Sequence, residues 1–139
     1  MSRIYQGIDL VSITKLQRVM AKHTAFLEEV FTDQERAYCL ARAHPQVHLA
    51  GRFAVKEACL KALGQGLRAN GIDRVLRDME LCPRASGQPQ LILRGWAATL
   101  SRKIRIIQQR VSISHSADFA IAMVILVGMD QSQTQNEVP

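Results

Sequence analysis

The period of the apolar positions changes several times along this 139-residue chain, and each change predicts a new element of secondary structure. Residues 4–11 (IYQGIDLV) are mostly apolar and predict a short strand. Over 12–20 the apolar side chains recur every three to four residues, which predicts a helix with one buried face. Thr32 and Glu35 have the spacing of a capping box and predict the start of a second helix. That helix should end near Pro45, because the residue before proline disfavours helical geometry.

The strongest helical pattern lies in the middle of the chain, over Gln46–Leu63. Gly64 follows the pattern directly, as is typical of the glycine that ends a helix. The pattern predicts a buried stripe made of Leu49, Phe53, Leu60 and Leu63. The same helix carries several cations and one acid, so its polar positions are the first candidates for chemistry.

Strand patterns dominate the second half of the chain. Residues 79–82 and 90–93 flank a Ser-Gly-Gln-Pro segment, which predicts two paired strands with a turn between them. Residues 95–108 predict a helix with basic residues near its end. Alternation over 111–114 predicts a half-buried strand, and the apolar run 119–127 predicts a central strand. Together these elements predict one α+β domain.

The composition is that of a globular protein with a basic surface. Apolar residues make up 47% of the chain, enough for a core that needs no disulfides. Eighteen Lys and Arg residues against twelve Asp and Glu residues give a net charge of +6, which favours a negatively charged partner. Nucleic acid, acidic protein and phosphorylated small molecules all meet that description. We expect the domain to span residues 1–129, with a polar and mobile tail over 130–139.

The cysteines and the apolar runs argue for a soluble protein of the cytoplasm. Cys39, Cys59 and Cys82 are widely spaced and odd in number, so we expect reduced thiols and neither a disulfide framework nor a zinc knuckle. The longest apolar run, 119–129, is much shorter than a membrane helix requires. No export signal is present in residues 1–10.

Taken one at a time, the candidate polar residues have ordinary structural interpretations. Asp9 at the end of an apolar strand is compatible with a solvated turn. Glu57 is compatible with an exposed helical acid that pairs with Lys61. Arg52 is compatible with a solvated helix face, and a single histidine such as His115 is most often structural.

The order in which these residues occur is more informative than any one of them. Four groupings follow each other: GIDLV at 7–11, FTDQE at 31–35, RFAVKEACLKALG at 52–64 and SISHS at 112–116. In this order, and over residues 4–127, the chain resembles the holo-acyl-carrier-protein synthases, the short bacterial type of 4′-phosphopantetheinyl transferase. The most specific part of the resemblance is the core F-x-x-K-E-A-x-x-K from Phe53 to Lys61.

The resemblance implies a fold and a reaction. The fold is that of the 4′-phosphopantetheinyl transferases, with an antiparallel sheet packed against helices. The reaction transfers the 4′-phosphopantetheine arm of coenzyme A to a serine of an apo acyl carrier protein and releases adenosine 3′,5′-bisphosphate. Asp9 and Glu57 would bind Mg²⁺, with Mn²⁺ as the alternative metal, because hard cations prefer carboxylate oxygens. Lys61 would stabilise charge on the phosphates, and Glu57 would accept the serine proton directly or through a metal-bound water.

The resemblance also assigns the binding residues and the assembly. Coenzyme A is assigned to Arg52, Lys56, Lys61, Gly64, Gly66, His115 and Ser116. The acidic carrier protein is assigned to Lys15, Arg18 and Lys22 of the first helix. The implied assembly is a homotrimer with sites between chains, acting in fatty acid biosynthesis, with no nucleic acid or membrane partner.

Two alternatives remain open on the sequence. A small basic nucleic-acid-binding protein would share the charge, but only 5% of the residues are aromatic and no known nucleic-acid motif is present. A relative that has lost catalysis and only binds its ligands is the second alternative. Asp9, Glu57 and Lys61 are all intact, which argues against it.

Overall fold

The computed structural model describes residues 1–65 and 75–130. Within those ranges the elements are β1 (Ser2–Ser12), α1 (Ile13–Lys22), α2 (Phe26–Val30), α3 (Asp33–Leu40), α4 (Pro45–Ala62), β2 (Met79–Pro83), β3 (Pro89–Leu93), α5 (Gly95–Lys103), β4 (Ile106–Ser116) and β5 (Phe119–Met129). The predicted coenzyme A residue Gly66 and residues 131–139 of the predicted tail lie outside the described residues.

Local signals in the sequence place several helix boundaries correctly, but the helix capped by Thr32 ends at Leu40 and not near Pro45 as predicted. Ser12 caps α1, because its hydroxyl accepts a hydrogen bond from the backbone N–H of Lys15. The predicted capping box of α3 is formed in both directions between Thr32 and Glu35. Pro45 occupies the first turn of α4, where its missing N–H leaves no helical bond unmade.

The predicted helix over 95–108 is wrong in its second half. The helix α5 ends at Lys103, and the chain enters β4 at Ile106. Arg105 lies between them with a φ of 58°, a left-handed conformation that ends the helix. Ile106 then pairs with Gly128 of β5, so sheet formation overrides the helical pattern.

A three-stranded antiparallel sheet with the order β1-β5-β4 forms the centre of the molecule. The predicted central position of the apolar strand is therefore confirmed for β5. One face of β5 buries Ala120, Ala122, Val124 and Leu126, while Ile121 and Met123 on the other face are exposed. The β2–β3 hairpin forms a separate two-stranded sheet.

Helix α4 is the core element of the fold, and it contacts both the sheet and α3. Leu49, Leu60 and Leu63 of the predicted stripe are buried, and Phe53 is partly buried. The burial extends around the helix to small residues and to two cations, Arg52 and Lys56. Polar groups in this helix therefore require partners in the interior.

The cysteines are free thiols, with Cys39 and Cys59 buried and Cys82 partly buried. Burial raises the pKa of the Cys59 thiol to about 12, which keeps it protonated and unreactive. Among the described residues, no helix is long and apolar enough to cross a lipid bilayer.

Candidate active site

The site begins with an unusually close approach of β1 to α4. A Cβ atom added to Gly7 would lie 1.8 Å from the carbonyl oxygen of Ala58. Only a residue without a side chain permits this separation. Asp9 lies two residues further along β1, on the same face as Gly7, and therefore also faces α4.

Asp9 and Lys61 meet at this contact. The Nζ atom of Lys61 lies 3.0 Å from Oδ1 of Asp9 and donates a second hydrogen bond to the carbonyl oxygen of Ile8 at 2.9 Å. The Asp9 side chain is 17% exposed and that of Lys61 is 42% exposed, so the pair is open to a ligand on one side. The structure thus brings together two residues that are 52 positions apart in the sequence.

Glu57 lies one helical turn before Lys61, on the same face of α4. It directly precedes Ala58, the residue that touches β1 at Gly7. We call these three residues, Asp9 of β1 and Glu57 and Lys61 of α4, the acidic group.

The donor set of the acidic group fits a magnesium ion that is shared with a phosphorylated ligand. Within residues 1–65 and 75–130, no three His, Cys, Asp or Glu side chains form a complete metal site. Mg²⁺ commonly takes one or two carboxylates and fills its remaining positions with water and substrate phosphates. Asp9 and Glu57 can supply the carboxylates of such a site.

Arg52 and His115 line a different feature, a cleft of about 240 Å³ between α4, the β2–β3 hairpin and the sheet. Other residues that line the cleft are Tyr38, His48, Gly87, Pro89 and Ile113. We call this part of the cleft the cationic group after the charge of Arg52, and it also contains His48 and His115. Arg52 and Lys61 are nine positions apart on α4, which is about 14 Å along the helix and a half-turn around it. The predicted coenzyme A residues of one chain are therefore divided between two places.

Arg52 carries a buried and incompletely satisfied charge. Its guanidinium carbon lies 4.2 Å from the centre of the Tyr38 ring, at cation–π distance. The residue is 6% exposed, and its Nε atom is buried without a hydrogen-bond partner. Burial lowers the pKa of the nearby His48, and the charges of Arg52 and Arg42 lower it further. Such a cleft attracts an anion.

Lys56, which the resemblance assigns to coenzyme A, lies in the protein interior. Its side chain is completely buried. Its Nζ atom donates to Oε1 of Glu35 at 2.7 Å and to the carbonyl oxygens of Leu76 at 2.9 Å and Met79 at 2.5 Å. These contacts use the ammonium group inside the protein. The capping box predicted only a local role for Glu35, and nothing in the sequence indicated this ion pair.

The remaining predicted residues lie on the surface. Gly64 ends α4 with a φ of 76°, and Ser116 ends β4 beside His115. Lys15, Arg18 and Lys22 are all exposed on α1, whose apolar face buries Ile13 and Leu16. Sequence reasoning missed Tyr38 and His48. The one-turn spacing from His48 to Arg52 is the signal that could have indicated the histidine.

Comparison with known proteins identifies the family. The sequence model of the 4′-phosphopantetheinyl transferase superfamily matches residues 6–124. The chain belongs to this superfamily. The predicted family resemblance is confirmed, and this protein is an enzyme of the phosphopantetheinyl transferase type.

Relatives with established names cover nearly the whole transferase. The chain is 45% identical to the holo-[acyl-carrier-protein] synthase of Syntrophotalea carbinolica, over 88% of this chain and 94% of the relative. It is 33% identical to the corresponding synthase of Caldanaerobacter subterraneus, over 93% of this chain and 98% of the relative.

Solved structures of other phosphopantetheinyl transferases share the fold. An ACPS–CoA complex of Chronobacterium ammoniagenes superimposes with a TM-score of 0.80 at 30% identity, covering 92% of this chain and 99% of that one. The Helicobacter pylori synthase in complex with coenzyme A gives a TM-score of 0.71 at 31% identity, covering 87% and 98%. The predicted α+β fold of this family is thereby confirmed.

Proposed function

We propose that this transferase is a Mg²⁺-dependent holo-acyl-carrier-protein synthase. It moves the 4′-phosphopantetheine arm of coenzyme A to a serine of an apo acyl carrier protein and releases adenosine 3′,5′-bisphosphate. The observation that carries this proposal is the contact of Lys61 with Asp9, because it assembles a phosphate-binding acidic group from β1 and α4. Relatives named as holo-[acyl-carrier-protein] synthases, and neighbours in complex with coenzyme A, support it.

In this reaction the acidic group binds the phosphates of coenzyme A and activates the serine of the carrier protein. Asp9 and Glu57 would hold Mg²⁺ (or Mn²⁺), and a metal bound there would supply positive charge to neutralise the phosphates of coenzyme A. Lys61 is held in place by Asp9 and the Ile8 carbonyl, so its ammonium group is positioned for charge that develops on the phosphate. Glu57 accepts the proton of the attacking serine.

The cationic group holds the other end of coenzyme A, and we assign it to a neighbouring chain of a homotrimer. Arg52 lies about 14 Å along α4 from Lys61 and on the opposite side of the helix, so we place the two groups of one chain at different coenzyme A sites. The outer face of the sheet supports this assembly, because large apolar residues lie exposed on it. These residues are Ile4, Ile8, Leu10, Phe119, Ile121 and Met123. We call them the outer sheet face.

The carrier protein binds α1. Lys15, Arg18 and Lys22 present three charges to solvent on that helix, and the whole chain carries a net charge of +6. Opposite charges accelerate the encounter of two proteins and fix their orientation, so the natural partner is an acidic carrier. We assign the reaction to fatty acid biosynthesis in the cytoplasm, as the family resemblance implies.

Mass spectrometry of an apo acyl carrier protein tests this function. Incubation with the enzyme, coenzyme A and Mg²⁺ should add one phosphopantetheine to the carrier, and EDTA should prevent the addition. Glu57→Gln should reduce the rate at least a hundred-fold, in the range typical of a lost general base. Glu28→Gln, at an exposed position on α2, is the matched control and should retain the wild-type rate.

Two outcomes would contradict the proposal. No addition to any of several apo carriers would favour a protein that only binds coenzyme A or carrier. A Glu57→Gln variant that keeps the full rate and the full Mg²⁺ dependence would remove Glu57 from the mechanism.

A further inference from the structure

The turn between β4 and β5 contacts the start of α1. It directly follows the end of β4, the strand that carries His115. Ser116 and Phe119 are paired across the sheet, so Ala117 and Asp118 form a two-residue turn. Ala117 has a φ of 51°, which a residue with a side chain rarely adopts. A turn of this kind persists when surrounding contacts hold it.

Asp118 supplies those contacts. Its Oδ1 accepts hydrogen bonds from the backbone N–H of Thr14 at 3.0 Å and from the Thr14 hydroxyl at 2.5 Å. Its Oδ2 accepts from the Ser12 hydroxyl at 2.8 Å. Its backbone carbonyl oxygen accepts from the N–H of Ile13 at 2.7 Å. The hydrogen bonds from Thr14 and Ser12 lower the pKa of the Asp118 carboxyl, which is therefore ionised at neutral pH.

These bonds make Asp118 part of the N-terminus of α1. The first backbone N–H groups of a helix have no partner within it, and α1 has no acid of its own in its first turn. Asp118 lies 104 residues from Thr14 and satisfies two of those N–H groups. Its negative charge also lies at the positive end of the helix dipole.

We propose that Asp118 is a positioning residue that holds the carrier-binding helix and the coenzyme A-binding strand end in one fixed arrangement. The inference rests on the proposed function. Lys15 directly follows Thr14, which Asp118 binds, and Arg18 lies one helical turn after Thr14. His115 and Ser116 directly precede the turn that Asp118 anchors. One carboxylate therefore orients the binding residues for both substrates.

Steady-state kinetics of Asp118→Ala test this role. The KM for apo carrier protein and the KM for coenzyme A should both rise, each about five-fold, the size of effect that follows the loss of a helix cap. Arg18→Glu should raise only the carrier KM, and His115→Ala only the coenzyme A KM. A loss of folded protein alone would lower kcat and leave both KM values unchanged.

Two variants serve as rescue and control. Asp118→Asn keeps an acceptor oxygen for Thr14 and gains an N–H donor toward Ser12, so it should restore both KM values to within about two-fold. Asp130→Ala removes an acid that pairs with the exposed Arg3 at the opposite end of the sheet, and both KM values should stay at wild type. The proposal is overturned if Asp118→Ala changes only one KM or neither.

Amide hydrogen exchange tests the same link without any measurement of turnover. Asp118→Ala should accelerate exchange both at Ile13–Lys15 and at 116–119, while α5 stays protected. If Asp118→Ala does not fold, Ser12→Ala and Thr14→Val each remove one bond to the carboxylate and should accelerate exchange at the same two places. Faster exchange at only one of these two places would overturn the proposed link between the turn and α1. A wild-type protein that modifies no carrier defeats the proposed function, and the exchange result is then judged separately.

Discussion

Lys56 places a primary amine in the protein interior, where an unpaired charge would be strongly unfavourable. Glu35 compensates the charge through Oε1, and its Oε2 accepts a hydrogen bond from the N–H of Leu81 at 3.2 Å. Burial lowers the pKa of Lys56, while Glu35 opposes that shift. The pair connects α3 and α4 with β2. It also fixes the part of α4 that carries the adjacent Glu57.

Removal of one partner of this pair should be more destabilising than removal of both. Lys56→Met leaves Glu35 buried without its counter-ion and should lower the free energy of unfolding by about 3–5 kcal/mol. The double variant Lys56→Met with Glu35→Gln should recover part of that loss. Chemical denaturation measures both variants. Arg36→Ala breaks only exposed pairs and should cost less than about 1 kcal/mol. A single variant as stable as Arg36→Ala would contradict this interpretation.

The residues of the acidic group could be identified from the sequence only through the family resemblance. Asp9 and Glu57 are 48 positions apart, and neither has a local motif that indicates a partner. Their separation in space depends on how β1 packs on α4, which spacing along the chain does not determine. The burial of Lys56 was unpredictable for the same reason, since its partner Glu35 has a complete local explanation as a capping residue.

At the scale of elements, the separation of β1 from α4 determines whether the acidic group can form. Gly7 permits the backbone of the strand to touch the backbone of the helix at Ala58 and Ala62. A clash with backbone atoms cannot be relieved by a change of side-chain rotamer. The strand must then move outward and carry Asp9 away from Lys61.

Gly7→Ala should therefore reduce both stability and activity. We expect a loss of about 1–3 kcal/mol in the free energy of unfolding and a larger proportional loss of phosphopantetheine transfer. Gly51→Ala is the matched control for stability, because its Cβ would meet only the Ile113 side chain at 3.2 Å, which can adjust. Denaturation compares the two variants, and the transfer assay measures the activity of Gly7→Ala. Equal effects of both substitutions would contradict the importance of the β1–α4 separation.

Helix and strand signals were read correctly where a capping residue or a turn accompanied them. Ser12, Thr32 and Gly64 each mark a boundary that the structure confirms. The boundary between α5 and β4 has no such marker. Arg105 takes a left-handed conformation without being glycine or asparagine, so pattern reasoning extended the helix into the strand.

At the scale of the whole molecule, the outer sheet face and the division of the binding residues support the same assembly. The face exposes Leu10 by 61% and Ile8 by 56%, although both lie in a paired strand. A contiguous apolar surface of this kind marks an interaction site. In the proposed homotrimer, the cationic group of one chain would complete a coenzyme A site with the acidic group of a neighbour.

Ile8→Asp should therefore produce a folded monomer without transferase activity. A charge on the outer sheet face disfavours burial between chains, but it leaves the core of a single chain unchanged. Light scattering should show one chain per particle, circular dichroism should show the wild-type spectrum, and the transfer rate should fall at least ten-fold. Leu40→Asp alters an exposed leucine on α3 and should change none of these quantities. An active monomer would contradict the assignment of sites between chains.

The pairing of β1 with β5 has a consequence for the order of folding. Ser2 pairs with Met129, and the backbone N–H of Asp130 donates to the carbonyl oxygen of Met1 at 2.9 Å. The sheet therefore closes a loop that contains almost every described residue, which is entropically expensive and slows folding. On the ribosome β1 emerges before the other described elements and has no partner strand until β5 has been synthesised. Its apolar side chains are exposed throughout that interval, so the nascent chain is vulnerable to aggregation until β5 emerges.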